Sequence, residues 1–309
     1  MAGPAADSRG KEVETIKPIS CGIAGWSYPD WNGYVYPPGG TRDPLRYLAP
    51  YVDMIEINST FYRPPAARQA ASWAERVAEL PDFFFAAKLH QEITHQGLLT
   101  PEMSAQFHEG LAPLAAAGRL RHLLAQFRYD FADTEATRGQ LQHIRDQFSD
   151  LTNLVLELRH NSWQGPEALQ FLSGLGVTVA NLDYPLAGNS FNLPVTGIGQ
   201  HAYLRLHGRN RVAWFDKKAG RDQTYNYLYN KGELESIFER ARQITARSGS
   251  LTVVANNHYQ GKEVVNALQL KAMFAGRKVM VPPILAEKYP DLKAIATPPA
   301  EAGGGRLNL

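Results

Sequence analysis

The chain has 309 residues, of which 44% are hydrophobic and 20% are charged, a balance typical of folded globular proteins and unlike that of disordered chains. Its 32 Lys and Arg residues against 30 Asp and Glu give a formal net charge of +2, so any attraction to polyanions must be local. A single cysteine, Cys21, excludes an internal disulfide framework and a cysteine-rich zinc site.

The two ends of the sequence differ in composition from the rest. Residues 1–17 are polar and lack the apolar core of a secretory signal, and residues 290–309 are rich in Ala, Pro and Gly. We expect a flexible leader, one domain over residues 18–289 and a flexible tail. No run reaches the roughly 18 apolar residues of a membrane span, so we expect a cytoplasmic protein with no membrane partner.

Short apolar runs rich in β-forming residues recur through the predicted domain. Stretches with helical periodicity separate most of them, and the weakest is NLPVTGIGQ, which follows the sixth run. Strands that alternate with helices indicate parallel βαβ units, and near-continuous apolar runs fit strands buried on both faces. The predicted strands are 20–25, 53–57, 83–88, 122–127, 154–159, 177–182, 202–207 and 251–255. The clearest predicted helices are 66–80, 103–117, 135–148, 167–175 and 233–246.

Eight strands in a chain of this length favour a closed α/β barrel of the (β/α)8 type over an open doubly wound sheet. The sequence after the first run, GIAGWSYPDW, lacks the GxGxxG fingerprint of dinucleotide-binding sheets. We therefore expect a single TIM-type barrel with long βα loops at its C-terminal face, where the active sites of such barrels lie.

Nearly every predicted strand ends in a polar residue. Because side chains alternate along a strand, outward-facing leucines in LVLELRH and AYLRLHG place Glu157, Arg159, Arg205 and His207 on the inner face. The same alternation in DMIEIN places Glu56 inside, so the barrel mouth should carry charges of both signs. The other polar residues at these ends are Trp26, Asn58, Lys88, Gln126, His160, Asp183, Asn256 and Asn257.

Segments at these strand ends resemble a known family, the DUF72 (YecE-like) proteins. The similar segments, in chain order, are GIAGWSYPDWNGYVYPP, DMIEINSTFYRPP, FFFAAKLHQEITH, LVLELRHNSW, VANLDYP, YLRLHGR and VVANNHYQGKEVVNALQLKAM. The resemblance runs from about residue 20 to residue 275 and implies a TIM-type barrel, but no established reaction. The likeness of such barrels to endonuclease IV and to sugar isomerases suggests nucleic-acid binding at the level of fold alone.

One interpretation of the strand ends is a metal site formed by Glu157, Asp183 and His207, at the ends of strands five, six and seven. Carboxylates and imidazole suit Mn²⁺, Mg²⁺ or Zn²⁺, and neighbouring barrel strands could bring the three side chains to one ion. Sugar-epimerase and endonuclease IV barrels carry a similar order of Glu, Asp and His, followed by a Glu on strand eight. Here strand eight ends instead in Asn256 and Asn257, which removes one anionic ligand.

The alternative is a buried ionic network without metal. Burying charges costs free energy unless they are paired, and the mouth supplies three cations for three carboxylates. A divalent metal is therefore an open alternative and not the favoured interpretation. The balanced groups are Lys88, Arg159 and Arg205 against Glu56, Glu157 and Asp183.

A second interpretation uses the same residues to bind and process an anion. Arginine presents bidentate donors to phosphate or carboxylate groups. Glu157 or Glu56 would then act as a general acid or base, with His207 as a proton shuttle. Two inward carboxylates also fit glycoside hydrolysis, although sequence does not give their separation. The cations that would hold the anion are Arg159, Arg205 and Lys88.

Loops expected around the mouth combine cations with aromatic residues. Segment 208–231 carries six Lys or Arg and two Asp, a net charge of +4, and interleaves five aromatic residues. The first loop, WSYPDWNGYVYPP, adds Trp26, and the second adds Tyr62 and Arg63. This mixture suits single-stranded or flipped nucleic acid, and aromatic walls suit sugars or nucleosides equally. The alternative is that the aromatic residues pack the loops down while the cations form a solvated rim.

These patterns predict an enzyme that acts on a phosphate-bearing substrate, a nucleic acid or nucleotide, with phosphodiester hydrolysis as the model reaction. The alternatives are a metal-dependent sugar isomerase or epimerase, and a non-catalytic barrel that binds nucleic acid or a small ligand. The predicted catalytic residues are Glu56, Glu157, Asp183 and His207. The predicted substrate-binding residues are Trp26, Tyr62, Arg63, Lys88, Arg159, Arg205, Asn256 and Asn257.

Overall fold

Nine parallel strands form one sheet in residues 18–298, the part of the chain that this computed structural model describes. The strands are Ile19–Ala24 (β1), Met54–Ile57 (β2), Phe84–Lys88 (β3), Leu120–Gln126 (β4), Asn153–Glu157 (β5), Thr178–Val179 (β6), Asn181–Asp183 (β7), His201–Leu206 (β8) and Ser250–Ala255 (β9). Strands consecutive in the chain are neighbours in the sheet, except at one break between β6 and β7, and β9 returns to pair with β1.

The sheet closes almost completely into a barrel because β6 and β7 belong to one stretch of chain. β6 pairs with β5 and β7 pairs with β8, and only Ala180 separates the two short strands. The break arises because the Val179 amide donates to the Ile198 carbonyl, whereas the Ala180 amide donates to Leu156. The expected (β/α)8 barrel is confirmed, with the sixth predicted strand present as two pieces.

Helices follow most of the strands and surround the barrel. The described α-helices are Pro44–Leu48 (α1), Ala67–Arg76 (α2), Gln91–Gln96 (α3), Pro101–Ala116 (α4), Glu135–Phe148 (α5), Pro166–Gly174 (α6), Arg211–Phe215 (α7), Arg221–Thr224 (α8), Lys231–Ala246 (α9), Lys262–Ala275 (α10) and Pro283–Lys288 (α11). Within residues 18–298, none of these helices is both long enough and apolar enough to cross a membrane.

Side-chain caps explain where several helices begin. The Thr134 hydroxyl accepts from the Thr137 amide at the start of α5, and the Asn230 side chain accepts from the Glu233 amide at the start of α9. Each cap satisfies an amide that has no partner within its helix. No such helix forms between β7 and β8 in the described chain, in agreement with the weak pattern of that segment.

The core has two layers, one inside the barrel and one between the barrel and the helices. Met54, Val155 and Tyr203 belong to the inner layer, whereas Leu154 and Leu156 pack outward against the helices. The predicted alternation of β2, β5 and β8 is therefore confirmed. Because of it, the polar residues that end these strands point toward the barrel axis.

The predicted leader, residues 1–17, and the last part of the predicted tail, residues 299–309, lie outside the described residues. The described structure extends beyond the expected domain end at residue 289. Pro290–Ala294 form a 3₁₀ helix, and the Thr297 amide donates to the Val279 carbonyl. Burial of Leu292 holds this segment against the barrel.

Candidate functional site

Arg205 joins two carboxylates across the inside of the barrel. One end of its guanidinium donates to Glu56 Oε1 over 2.6 Å, and the other donates to Glu157 Oε2 and, over 3.0 Å, to Gln126 Oε1. Arg205, Glu56 and Glu157 come from β8, β2 and β5 and are completely buried. The barrel thus brings together three charged side chains that are distant in sequence.

Two further groups complete this buried ionic network. Arg159 donates from Nε and Nη2 to Glu157 Oε1, over 2.8 and 2.6 Å, and its guanidinium lies 5.6 Å from the Trp214 ring centre. The Tyr203 hydroxyl donates to Glu56 Oε2 over 3.1 Å. Every carboxylate oxygen in the network therefore accepts at least one hydrogen bond.

The network keeps Glu157 ionised. Burial alone would raise the pKa of this carboxyl, but Arg205 and Arg159 hold the pKa well below its usual range. In turn, Glu157 and Glu56 raise the pKa of Arg205 above its ordinary value despite burial. Glu56 and Glu157 thus hold the arginines in place, and neither carboxylate belongs to the lining of the cavity at the barrel mouth.

His207 lies at the edge of the network as a neutral imidazole. Its Nε2 is 3.4 Å from Glu157 Oε1, and its Nδ1 is 3.0 Å from the Asn256 amide nitrogen. With that amide donating to Nδ1, the ring proton resides on Nε2. Burial lowers the pKa of His207 to about 4, only partly offset by Glu157. Trp214 and Tyr225 pack beside the ring and help to bury it.

Asp183 does not join this network, contrary to the sequence-based expectation. Its carboxylate accepts from Arg209 over 2.9 and 2.7 Å and from the Tyr229 hydroxyl over 2.7 Å, and it lies 4.0 Å from Arg240. The cause is strand alternation, since the preceding residue, Leu182, occupies the inner layer and turns Asp183 outward.

The predicted metal ligands are therefore not assembled. Glu157 and His207 are neighbours, but Asp183 faces the other side of the strand. Among residues 18–298, no group of three or more His, Cys, Asp or Glu side chains is arranged to hold an ion. Glu157 is instead paired with Arg159 and Arg205 in the buried ionic network.

A cavity of about 950 Å³ opens at the C-terminal ends of β1, β2, β3, β4 and β9 and reaches across to α2. Its lining contains four cationic side chains and no Asp or Glu among the described residues. The lining also contains the aromatic residues Trp26, Tyr28, Phe61, Tyr62, Trp73 and Tyr225. The cations are Arg68, Arg76, Lys88 and Arg221.

Lys88 links the cavity to the buried network. It ends β3, its ammonium lies 4.6 Å from the Phe61 ring centre, and it makes no ion pair within the described residues. Burial, together with the positive charge of Arg205, lowers the pKa of Lys88 to about 8 although Glu56 and Glu157 act in the opposite direction. Because Arg205 already occupies those carboxylates, the ammonium is available to a ligand in the cavity.

The predicted substrate-binding residues divide into three groups. Arg159 and Arg205 belong to the buried ionic network. Arg63 is exposed and lies outside the cavity lining, and Asn257 is buried, where its amide donates to the Tyr227 carbonyl. The residues that face the cavity are Trp26, Tyr62, Lys88 and Asn256.

The basic segment 208–231 forms part of the mouth mainly through its aromatic residues. Trp214 and Tyr225 pack around His207, and Tyr229 is buried with its hydroxyl bonded to Asp183. Most cations of this segment are exposed, as the structural alternative for this loop predicted, and Arg221 is the member that lines the cavity.

Sequence reasoning missed two contributions to the cavity. Arg68, Ser72 and Arg76 recur every fourth residue on one face of α2, and this spacing was a readable signal for a polar face turned toward the mouth. His258 and Tyr28 stack in the cavity wall. No sequence pattern indicated that these two residues, 230 positions apart, would meet.

Comparison with known proteins identifies the family of the chain. The model of the family described as "Protein of unknown function DUF72" matches residues 20–289. The chain belongs to the DUF72 family. The resemblance seen in the strand-end segments is therefore confirmed. The UPF0759 protein YunF of Bacillus subtilis (strain 168) is 28% identical to this DUF72 protein over 269 residues, which cover 82% of this chain and 93% of YunF.

Solved structures of DUF72 proteins share this architecture. The DUF72 family protein TM1631 of Thermotoga maritima MSB8 superposes with a TM-score of 0.72 and is 31% identical, covering 84% of this chain and 99% of that one. The DUF72 family protein ef0366 of Enterococcus faecalis v583 gives a TM-score of 0.73 at 26% identity, covering 85% and 98%. The names of these relatives carry no activity, so function must be argued from the site.

Proposed function

We propose that this DUF72 protein is an enzyme whose cavity binds a phosphate-bearing substrate, a nucleotide or a short stretch of nucleic acid. The observation that supports the proposal is the lining of the cavity, which contains four cations and no carboxylate among the described residues. Such a one-signed lining attracts anions and raises their local concentration.

These cations make at most weak ion pairs within the described residues, so they are free to bind a ligand. Arg76 approaches Asp43 only to 3.5 Å, and Arg221 approaches its own neighbour Asp222 to 4.0 Å, both at partly exposed positions. Such pairs contribute little free energy, so exchanging them for a phosphoryl group costs little. Arginine also presents two parallel donors that match the geometry of phosphate oxygens.

The enzyme proposal rests on Lys88 and on the network below it. An amine with a pKa of about 8 is mostly protonated at neutral pH yet close enough to that pH to donate a proton to a leaving oxygen. Phosphodiester hydrolysis fits this arrangement, because charge that develops on phosphoryl oxygens is stabilised by fixed cations. Glu56, Glu157 and His207 would position the arginines rather than contact the substrate.

The aromatic wall favours a substrate with a ring. Trp26, Tyr62 and Tyr225 line the cavity, and Tyr62 remains 62% exposed and so presents ring surface to solvent. Base or sugar rings stack on such surfaces with little sequence preference. A nucleotide contains both a ring that could stack on the aromatic wall and a phosphate that the cations would bind.

The proposal is tested by titrating inorganic phosphate, a nucleoside monophosphate and a short single-stranded oligonucleotide, with the fluorescence of Trp26 and Trp73 in the cavity wall as the readout. Lys88→Met and Arg221→Ala should each weaken binding about tenfold, or about 1.4 kcal/mol. Lys217→Ala, an exposed cation of the same segment outside the lining, is the matched control and should leave the affinity unchanged.

Three outcomes would contradict all or part of the proposal. Failure of all three probes to bind, or binding that Lys88→Met and Arg221→Ala leave unchanged, would remove the phosphate-binding role. Binding without turnover of a chromogenic phosphodiester, in wild type and variants alike, would instead favour the non-catalytic binding barrel.

A further inference from the structure

A histidine that sequence reasoning did not select lies in the cavity wall without hydrogen-bond partners. His258 follows β9, is 3% exposed and lines the cavity. Neither its Nδ1 nor its Nε2 has a partner among the described residues. Both nitrogens are therefore unsatisfied and are themselves buried, while the residue lines a space large enough for a ligand.

The ring of His258 is held in a fixed plane. It stacks on Tyr28 with ring centres 4.6 Å apart and planes 6° apart, and Tyr225 lies 5.2 Å away. Its backbone carbonyl accepts from Trp31 Nε1 over 2.8 Å. The next turn contains Gln260 at φ 54°, a left-handed conformation rare for a residue with a side chain, and the Asp30 carboxylate holds its amide over 2.6 Å.

This arrangement costs free energy that packing alone does not require. An unsatisfied buried polar group destabilises the fold by about 1–3 kcal/mol, whereas phenylalanine would make the same stack without that penalty. An imidazole here gains from its nitrogens only when something in the cavity bonds to them. The cation beside it, Arg221, lines the same cavity and lies 5.4 Å from the centre of the Tyr28 ring.

We infer that His258 contacts the substrate, its ring turning over within the stack on Tyr28 so that one nitrogen donates a hydrogen bond to a phosphoryl oxygen held beside Arg221. This inference rests on the proposed function and adds to it the residue that orients the phosphate. Before a ligand binds, the imidazole is neutral at physiological pH. Burial and then Arg221 lower the pKa of His258 to about 4, and Asp222 acts weakly in the opposite direction. The titratable and charged groups around the ring are Tyr28, Arg221, Asp222 and Tyr225.

A bound phosphate changes the protonation of a neutral imidazole that contacts it. A dianion beside the ring favours the imidazolium, so the pKa of His258 should rise when phosphate binds. A histidine that only packs against Tyr28 would keep the same pKa with and without ligand. This difference separates a contact with substrate from a structural role.

The experiment compares wild type, His258→Phe and His258→Gln with inorganic phosphate and a nucleoside monophosphate as probes. His258→Phe keeps the stacked ring without nitrogens and should weaken binding about tenfold with no loss of thermal stability. His258→Gln keeps a donor and should recover part of the affinity. In wild type, the NMR titration of the His258 ring should shift toward higher pH by one unit or more in the presence of phosphate.

The results distinguish this inference from the function on which it rests. If wild type binds neither probe, the proposed function and the role of His258 both fail. If wild type binds but His258→Phe binds equally well, or phosphate leaves the His258 titration unchanged, only the inference about His258 is overturned.

Discussion

Arg205 stabilises the barrel only together with its two carboxylates. Charges buried inside a protein cost several kcal/mol each unless they are paired, and here Glu56, Glu157 and Arg205 are all fully buried and hydrogen-bonded to one another. Removing the central cation would leave Glu56 without an ion pair among the described residues and Glu157 paired with Arg159 alone.

We therefore expect Arg205→Met to lower the free energy of unfolding by about 3–5 kcal/mol, measured by urea denaturation. Arg128→Met provides the control, because the Arg128–Asp130 pair is about half exposed and should contribute no more than about 1 kcal/mol. A similar loss in both variants would show that the buried network contributes no more to stability than an exposed ion pair.

Glu263 is a third buried carboxyl, but unlike Glu56 and Glu157 it makes no ion pair within the described residues. It lies in the first turn of α10, and neither of its oxygens has a hydrogen-bond partner among the described residues. Burial raises the pKa of Glu263 well above its usual range, and the negative charge of Glu56 adds to this. The folded protein thus carries this group protonated, whereas the unfolded chain releases the proton at the usual glutamate pKa.

Stability should consequently fall as the pH rises above the usual pKa of glutamate, about 4.3, toward the raised pKa of Glu263. Glu263→Gln removes this proton release, so the stability of the variant relative to wild type should increase by up to about 1.4 kcal/mol per pH unit. Urea denaturation at pH 5, 6 and 7 measures the difference. A difference that stays constant over this range would show that Glu263 is already ionised in the fold.

At the scale of elements, two helical glycines allow the contribution of close packing to stability to be distinguished from that of helix propensity. Gly110 in α4 lies against the loop before α2, where an added Cβ would come within 2.0 Å of the Pro65 carbonyl oxygen. Gly139 in α5 has nothing within 4 Å of the corresponding position. The first glycine permits close approach of two elements, and the second only weakens its helix.

Gly110→Ala should therefore lower the thermal midpoint, because the carbonyl that it meets belongs to the backbone and cannot rotate away. Gly139→Ala should raise stability by about 0.5–1 kcal/mol through its better helix propensity. Thermal unfolding followed by circular dichroism measures both changes. If Gly110→Ala were as stabilising as Gly139→Ala, α4 would not pack closely on the segment before α2.

Most element positions follow from local patterns. Apart from the sixth, the predicted strands begin and end within two residues of those observed, because buried parallel strands have continuous apolar runs with turn residues at their ends. The sixth strand is different. Its break at Ala180 depends on a hydrogen bond from Val179 to Ile198, a partner on the returning chain that no local pattern reveals.

For the whole molecule, three buried neutral histidines should make the fold sensitive to acid. Burial lowers the pKa of His122 to about 3 and those of His207 and His258 to about 4. Below the usual histidine pKa of about 6.5, the unfolded chain binds protons that the folded protein does not bind. The contribution of these three histidines to stability should be complete above pH 6.5 and should fall as the pH drops toward 4.

His207→Gln should reduce the slope of unfolding free energy against pH between 6.5 and 4.5 by up to about 1.4 kcal/mol per pH unit, the contribution of one proton. His143→Gln, at an exposed position, is the control and should leave the slope unchanged. Urea denaturation across this pH range gives both slopes. Equal slopes in wild type and His207→Gln would mean that His207 is protonated to the same extent in both states.

The sequence by itself determined the barrel and the inward direction of Glu56, Glu157 and Arg205, because alternation within a regular strand is a local property of the backbone. Tertiary structure alone decided the partners of these residues. Asp183 turns away from them where the sixth strand breaks. A cavity forms between the mouth and α2, and Lys88 lies at its edge without an ion pair in the part of the chain that the structure describes. These outcomes depend on packing between stretches far apart in the chain. A local sequence pattern carries no information about which distant side chains will be in contact.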